Sequence, residues 1–466
     1  MVRLSAVLLI AFVLGCQTGP LLAPIDLPTN PEGPSPTYAF DLANTEVCDG
    51  VDNDNDGSID EEQTGYTDFC DPSALVTPEG YPFVYPLEYW TSAFDALRYD
   101  TPNARDSYNK TLERAAAADP CTGSPHYYMH SVFKALLNMH LATGYATYLE
   151  ESVELADLMI AASVVYDPSW AYPRVRDKEK FDAWVDAQGE IRFWSADQCS
   201  WAVGRGPGYR YMINELQGIR GIARLARTLQ EQGDSRWRIY FDYADQVISF
   251  YAMMGDAVPR IDNANDKRVH YIMSALELYR ASGKQRFLDW ATALEGDVLG
   301  LTITEVDGDF LAFNVGIGGP INDVSHANRG AEMVRYWTEE DTPGTSDFMR
   351  RAVNTLLFRI WENQPNVQPA NQYPHLFRNM TDGDNGCQGV NSPYRLGSID
   401  VGWNELARYD RRVLYIMESF VHALVEGTAA TSFPAPADCT LSGNTNYSYI
   451  ITAVAELAYA HTYTRP

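Results

Sequence analysis

The sequence predicts an all-α chain built from repeated antiparallel helical hairpins, and three observations predict it. Apolar residues recur at three- and four-residue spacing in one segment after another from Tyr89 onward. Four glycines, Gly144, Gly233, Gly283 and Gly344, each close such a segment, and four residues after each comes an aromatic: Tyr148, Trp237, Phe287 and Phe348. Runs that alternate apolar and polar residues, as a long half-buried strand would, are not evident.

Each element follows from that pattern. The first helix is expected near Trp90–Ala117. The next lies around His130, Val132, Phe133, Leu136, Leu137 and Met139, and another follows the stripe Ile213, Leu216, Ile219, Ile222, Leu225 and Leu229. Further stripes run through Ile272–Tyr279, Phe348–Trp361, Asp410–Glu426 and Tyr447–Thr464, giving ten to twelve helices. A glycine ending a helix suits the left-handed turn that reverses the chain, and the aromatic after it staples the returning helix onto its partner. The glycines are unequally spaced, so the length variation falls in the loops that lead into each new hairpin, where function is expected.

The chain has 466 residues, 45% of them hydrophobic, enough for one large helical domain or two ordinary ones. With 35 basic residues against 62 acidic ones, the net charge is -27. That field repels nucleic acid and anionic membranes, and no nucleic-acid partner is expected. No HExxH, GxSxG or phosphate-binding glycine loop is present, which excludes the commonest metalloprotease, esterase and nucleotide-binding readings.

The N-terminus MVRLSAVLLIAFVLGC places Arg3 ahead of a short apolar run from Ala6 to Leu14, the pattern of an export signal. Its end, Val13-Leu14-Gly15-Cys16, resembles the bacterial lipobox, which implies a signal peptide over 1–15, lipidation of Cys16 and membrane attachment through that anchor alone. The Pro- and Gly-rich residues that follow read as an extended tether over 16–45. The implied location is the bacterial cell envelope, at the outer membrane, facing periplasm or surface. In an oxidising compartment the remaining six cysteines can pair. Taken in chain order the pairs are Cys48–Cys70, Cys121–Cys199 and Cys387–Cys439, of which only the first has a local rationale, closing an acidic loop over 46–71.

Within that loop, CDGVDNDNDGSIDEEQTGYTDFC, the residues Asp52, Asp54 and Asp56 alternate, Gly57 follows, and Asp60 comes three further on. Alternate carboxylates that converge on a hard cation, with a glycine at the sharp turn and the carbonyl of Ser58 as a further ligand, are the chemistry of a Ca2+ site. Gln63 stands where an EF-hand needs a bidentate Glu. The stretch is more similar to thrombospondin type 3 and dockerin-like repeats, and to the CDGxDNDCDGxVDE segment of secreted Gram-negative proteins. A structural calcium ion is the implied cofactor.

The repeated hairpins resemble the (α/α) toroids of polysaccharide lyases, six-hairpin glycosidases and sugar epimerases. That resemblance implies a toroid of five to six hairpins over 85–466, behind the short N-terminal metal-binding loop, and a polysaccharide or other glycan as partner. Four loops leading into its helices concentrate reactive types: FWSADQCSWAVGRGPGYRYMINE (193–215), RIDNANDKRVHY (260–271), GGPINDVSHANRG (318–330) and GSIDVGWNELARYDRR (397–412). If hairpins alternate around the ring, all four share one rim.

In the third loop, Asn322 or Asp323 caps a helix and sets His326 and Arg329, three apart, on one face of its first turns. A histidine there suits general acid–base work, and Arg329 suits bidentate capture of a carboxylate. An elimination would use Arg329 or Asn328 against a uronate carboxylate, His326 as base, and Tyr209 or Tyr211 as acid. A hydrolysis would need two carboxylates, for which Asp197, Glu215, Asp323, Asp400 and Glu405 are available without a spacing that selects two. Trp194, Trp201, Arg205, His270, Asn328, Trp403 and Glu405 are the expected substrate contacts. The loop 369–395 reads as a lid. The expected activity is polysaccharide cleavage by lyase or hydrolase chemistry; the alternative is a non-catalytic surface lipoprotein that binds glycan or protein through the same cleft.

Overall fold

The computed structural model describes residues 85–100, 124–161, 163–165, 177–193, 212–253, 265–305, 310–313, 324–340, 345, 347–360, 402–410, helical positions between 413 and 425, and 447–462. The expected signal peptide, tether and calcium loop, and the six cysteines expected to pair, lie outside the described residues. So do Asp323, Tyr209, Tyr211, Trp194, Trp201, Arg205 and Gly344, together with the lid loop 369–395.

Eleven α-helices are described: α1 (Leu87–Asp100), α2 (Ser124–Thr143), α3 (Ala146–Ala161), α4 (Lys178–Gln188), α5 (Met212–Glu231), α6 (Trp237–Met253), α7 (Asn265–Ser282), α8 (Gln285–Thr302), α9 (Val324–Glu339), α10 (Phe348–Asn354) and α11 (Tyr447–Ala460). A 3-10 segment spans Trp403–Arg408. Two short antiparallel ribbons accompany them: β1 (Val164–Val165) with β2 (Arg192–Phe193), and β3 (Ile303–Glu305) with β4 (Leu311–Phe313).

Six of these elements form a closed inner ring. In order, α2 packs on α5, α5 on α7, α7 on α9, α9 on the 403–408 segment, that segment on α11, and α11 back on α2. The bonds between neighbours climb both partners together. Thr452 reaches the Ser131 carbonyl at 3.1 Å and Asn138 the Glu456 carboxylate at 2.7 Å. Gln217 meets His270 at 3.2 Å and Arg227 meets Glu277 at 3.0 Å. The inner elements are therefore parallel and begin at one rim. Outer helices α3, α6, α8 and α10 return antiparallel against α2, α5, α7 and α9, while α1 lies on α11. The fold is the expected (α/α) toroid, with six inner elements among the described residues.

The turns at the opposite rim are tight because glycine permits them. Gly144, Gly233 and Gly283 have φ of 70°, 74° and 66°, the left-handed region. Phe287 after Gly283 is fully buried, edge-on to Phe241 at 5.9 Å. Gly221 and Gly330 serve close packing instead: a Cβ at either would overlap the ring of Phe133 or Phe313.

Three local features depart from the sequence expectation. The insertion between α3 and α5 holds an unexpected helix, α4, capped by Asp177, whose side chain accepts from the Lys180 amide at 3.0 Å. The stripe Phe348–Trp361 is no single α-helix, because it widens into a π turn at Thr355–Ile360. There Thr355 Oγ1 accepts from the Leu311 amide at 2.8 Å and donates toward the Leu311 carbonyl, tying this helix to β4. The fifth inner element is a short 3-10 segment, with the helical positions of 413–425 following it.

Candidate active site at the rim where the inner helices begin

Contacts between inner helices that are not neighbours in the ring mark the toroid axis. His130 on α2 meets His270 on α7 edge-on, with ring centroids 5.5 Å apart. One to two turns deeper, Lys134 of α2 crosses to Glu332 of α9 at 3.2 Å and pairs with Glu405 of the 403–408 segment. Arg220 of α5 also crosses, gripping both oxygens of Glu332. Deeper still, Tyr336 donates to Glu277 at 2.5 Å, and Arg408 pairs with Glu456. The axis is a column of charged and polar side chains inside an apolar shell.

The layer nearest the rim holds His130, Gln217, His270, Asn328 and Arg329, all buried, from four inner helices. His270 is fully enclosed. Burial is the main cause that pushes its pKa well below the ordinary histidine value, and the charges of Arg329, His130 and Arg220 push the same way, against a weaker opposing pull from Glu332. At neutral pH the imidazole is thus uncharged. Arg268, two residues before His270, is buried in the first turn of α7. Six parallel elements also direct their amide ends toward this rim, which adds positive potential there. The rim layer is favourable to anions even though the whole chain is strongly acidic.

Below it, burial works against the Glu332 carboxylate, but Arg220 and Lys134 outweigh burial and hold its pKa well below the usual range. Glu405 is the reverse case. Burial dominates over Arg335 and Lys134, and its carboxyl is raised. The two carboxyl groups share Lys134 and hydrogen-bond one another. Glu215, in the first turn of α5, accepts from Tyr251 of α6, an outer helix.

The expected site residues separate into three groups. Asn328, Arg329 and His270 lie together in the rim layer. His326 occupies the first turn of α9, at the same rim. Trp403 and Glu405, also expected as substrate contacts, are fully buried, as His270 is, and their side chains are engaged by other residues. Trp403 is 0% exposed with its ring edge-on to Phe313 at 5.9 Å, leaving no face for a sugar. Glu405 is 0% exposed and ion-paired to Lys134 and Arg335. Apart from Glu215, the remaining expected residues lie outside the described residues.

Sequence reasoning missed His130, Gln217, Lys134, Arg220 and Glu332. A signal for them exists. Each inner helix carries a second periodic stripe, polar rather than apolar: His130–Lys134–Asn138, Gln217–Arg220–Arg224, His270–Ser274–Glu277, Arg329–Glu332–Tyr336 and Thr452–Glu456. Two stripes on one helix, one apolar and one polar yet buried, identify a helix that lines a toroid.

No protein-family model matches the chain, and no curated protein matches it. Among solved structures it is similar to an inactive variant of an α-1,6-mannanase of Salegentibacter sp. HEL1_6, in complex with α-1,6-mannotetrose. That match is 10% identical, covers 72% of this chain and 89% of the other, and has a TM-score of 0.41. A polysaccharide lyase matches at 10% identity over 77% of this chain and 100% of its own, with a TM-score of 0.42. A glycosyl hydrolase family 88 protein from Bacteroides vulgatus matches at 11% identity over 76% and 98%, with a TM-score of 0.43. Likeness at this level decides nothing about the chemistry of this chain, which rests on its own residues.

Proposed function

We propose that this chain cleaves polysaccharide at the rim where the inner helices begin, and that elimination on an acidic sugar fits its residues better than hydrolysis. The observation that carries the reading is the neutral His270 on the axis beside the Arg329 charge, facing His130. A lyase needs a cation to neutralise the uronate carboxylate, a base for the adjacent proton and an acid for the leaving oxygen. Arg329 and Asn328 suit the first role. A histidine, His270 or His326, suits the second. Tyr209 and Tyr211 remain the proposed acids.

Hydrolysis needs two carboxyl groups free to face the glycosidic bond. Among the described residues, the axial carboxylates Glu332, Glu405, Glu277 and Glu456 are engaged by lysine and arginine, and Glu215 by Tyr251. The proposed setting is the cell envelope, with Cys16 lipidated and the loop of Asp52, Asp54, Asp56, Ser58 and Asp60 holding structural calcium. A thermal midpoint that calcium leaves unchanged in the metal-stripped protein would sink the calcium site.

The test is incubation of the mature protein with a panel of neutral and acidic polysaccharides, reading reducing ends and unsaturated-product absorbance together, beside Arg329→Gln and His326→Ala. Reducing ends with absorbance, lost in Arg329→Gln, support elimination. Reducing ends alone turn the reading to hydrolysis, and no product from any glycan turns it to the binding protein.

A further inference from the structure

Asn404 stands between two residues whose directions are fixed. Trp403 packs outward on Phe313, and Glu405 reaches across the axis to Lys134. The preceding Gly402 backs so closely onto the Asn328 carbonyl that a Cβ would overlap it, which sets this segment level with the rim layer of Asn328 and Arg329. Asn404 is 0% exposed, and neither its carbonyl oxygen nor its amide nitrogen has a hydrogen-bond partner. Buried amides are almost always bonded, and an unsatisfied polar group costs about 1–3 kcal/mol. A leucine of similar outline would avoid that cost. A residue kept in this condition beside a candidate site calls for a ligand.

We propose that Asn404 is a specificity residue of the glycan site, its carboxamide pairing with a sugar hydroxyl. The inference rests on the polysaccharide reading above. A hydroxyl both donates and accepts, and the amide offers one oxygen acceptor and two N–H donors, so a single side chain can satisfy it in either sense. A site built to bond a hydroxyl strongly rejects the analogue that lacks it, because the protein group is then left buried and unpaired.

The test compares kcat/KM on the oligosaccharide that wild type cleaves with kcat/KM on its single-deoxy analogues, in wild type, Asn404→Ala and Asn404→Leu. Wild type is expected to discriminate against one deoxy position by about tenfold or more, the value of one buried hydrogen bond. Both variants are expected to lose most of that discrimination while the rate on that analogue changes little. Equal falls on parent and deoxy substrates in both variants would mark a packing role and overturn the inference, as would unchanged discrimination. Product from wild type with no loss of discrimination in the variants defeats this inference alone. No product from wild type on any glycan defeats the polysaccharide reading, and this inference with it.

Discussion

Replacing Lys134 with methionine removes the cation shared by two buried carboxyl groups while keeping the bulk of its stem. Lys134 is 3% exposed and sits 3.2 Å from Glu332 and in contact with Glu405, both 0% exposed. Breaking a buried ion pair costs about 3–5 kcal/mol. Here Glu332 keeps Arg220 and Glu405 keeps Arg335, so the low end, about 3 kcal/mol, applies. For a domain of about 380 residues, at about 2.1 cal/mol/K each, 1 kcal/mol lowers the midpoint by about 1.3 °C, so the expected fall is about 4 °C.

The pH dependence carries more information than the fall itself. Glu405 has a raised pKa in the folded chain, so its contribution is fully present below its unfolded value and is lost as pH rises through the folded one. Without Lys134 that pKa rises further. The deficit of Lys134→Met is therefore expected to grow as pH rises through the raised Glu405 value, on top of a constant part from the lost Glu332 pair, in thermal melts followed by far-UV circular dichroism. Glu332, held low by Arg220 as well, does not titrate across this window. A deficit that is constant with pH, or larger in acid, would refute the shared-cation argument.

Three further outcomes follow from the same column of residues and its shell. If His270 is the base, its lowered pKa keeps it unprotonated from neutrality into mild acid, so the acid limb of kcat/KM is expected below the ordinary histidine range; a limb at or above about pH 6.5 would point elsewhere. Glu295 on α8 is pushed up to about 7 by burial, with Glu340 adding. Its contribution is lost as pH rises through that value, so Glu295→Gln is expected to raise the thermal midpoint near about pH 8 and change little near about pH 5; the reverse order would contradict the assignment. Gly402→Ala would drive a methyl into the Asn328 carbonyl, and the ring seam between α9 and the 403–408 segment is expected to lose about 2–3 kcal/mol in urea melts, whereas a variant as stable as wild type would show that the close approach is absent in solution.

The architecture was legible because its punctuation is local. A glycine in the left-handed region followed four residues later by an aromatic needs only short-range sterics and one packing contact, and Gly144, Gly233 and Gly283 behave as that rule demands. The π turn at Thr355 was not legible, since its cause is a hydrogen-bonded tie to Leu311, 44 residues away. The polar axis was less legible for a related reason. In a single sequence a charge on a helix carries no mark of burial, so Lys134, Arg220 and Glu332 did not stand among the expected residues, while Trp403 and Glu405 did because they stand in a loop-like sequence. A ring of parallel helices inverts that rule: its axis is enclosed, and polar side chains from opposite helices satisfy one another there.

The most direct test of the account is hydrogen exchange read by mass spectrometry on the mature protein, with and without an acidic polysaccharide, the proposed substrate class. Slower exchange is expected in the opening turns of the inner elements, around 124–131, 212–217, 265–271, 324–330 and 402–405, with no change in the opposite turns around Gly144, Gly233 and Gly283. Protection confined to those opposite turns, or spread evenly over the outer helices, would contradict the placement of the site.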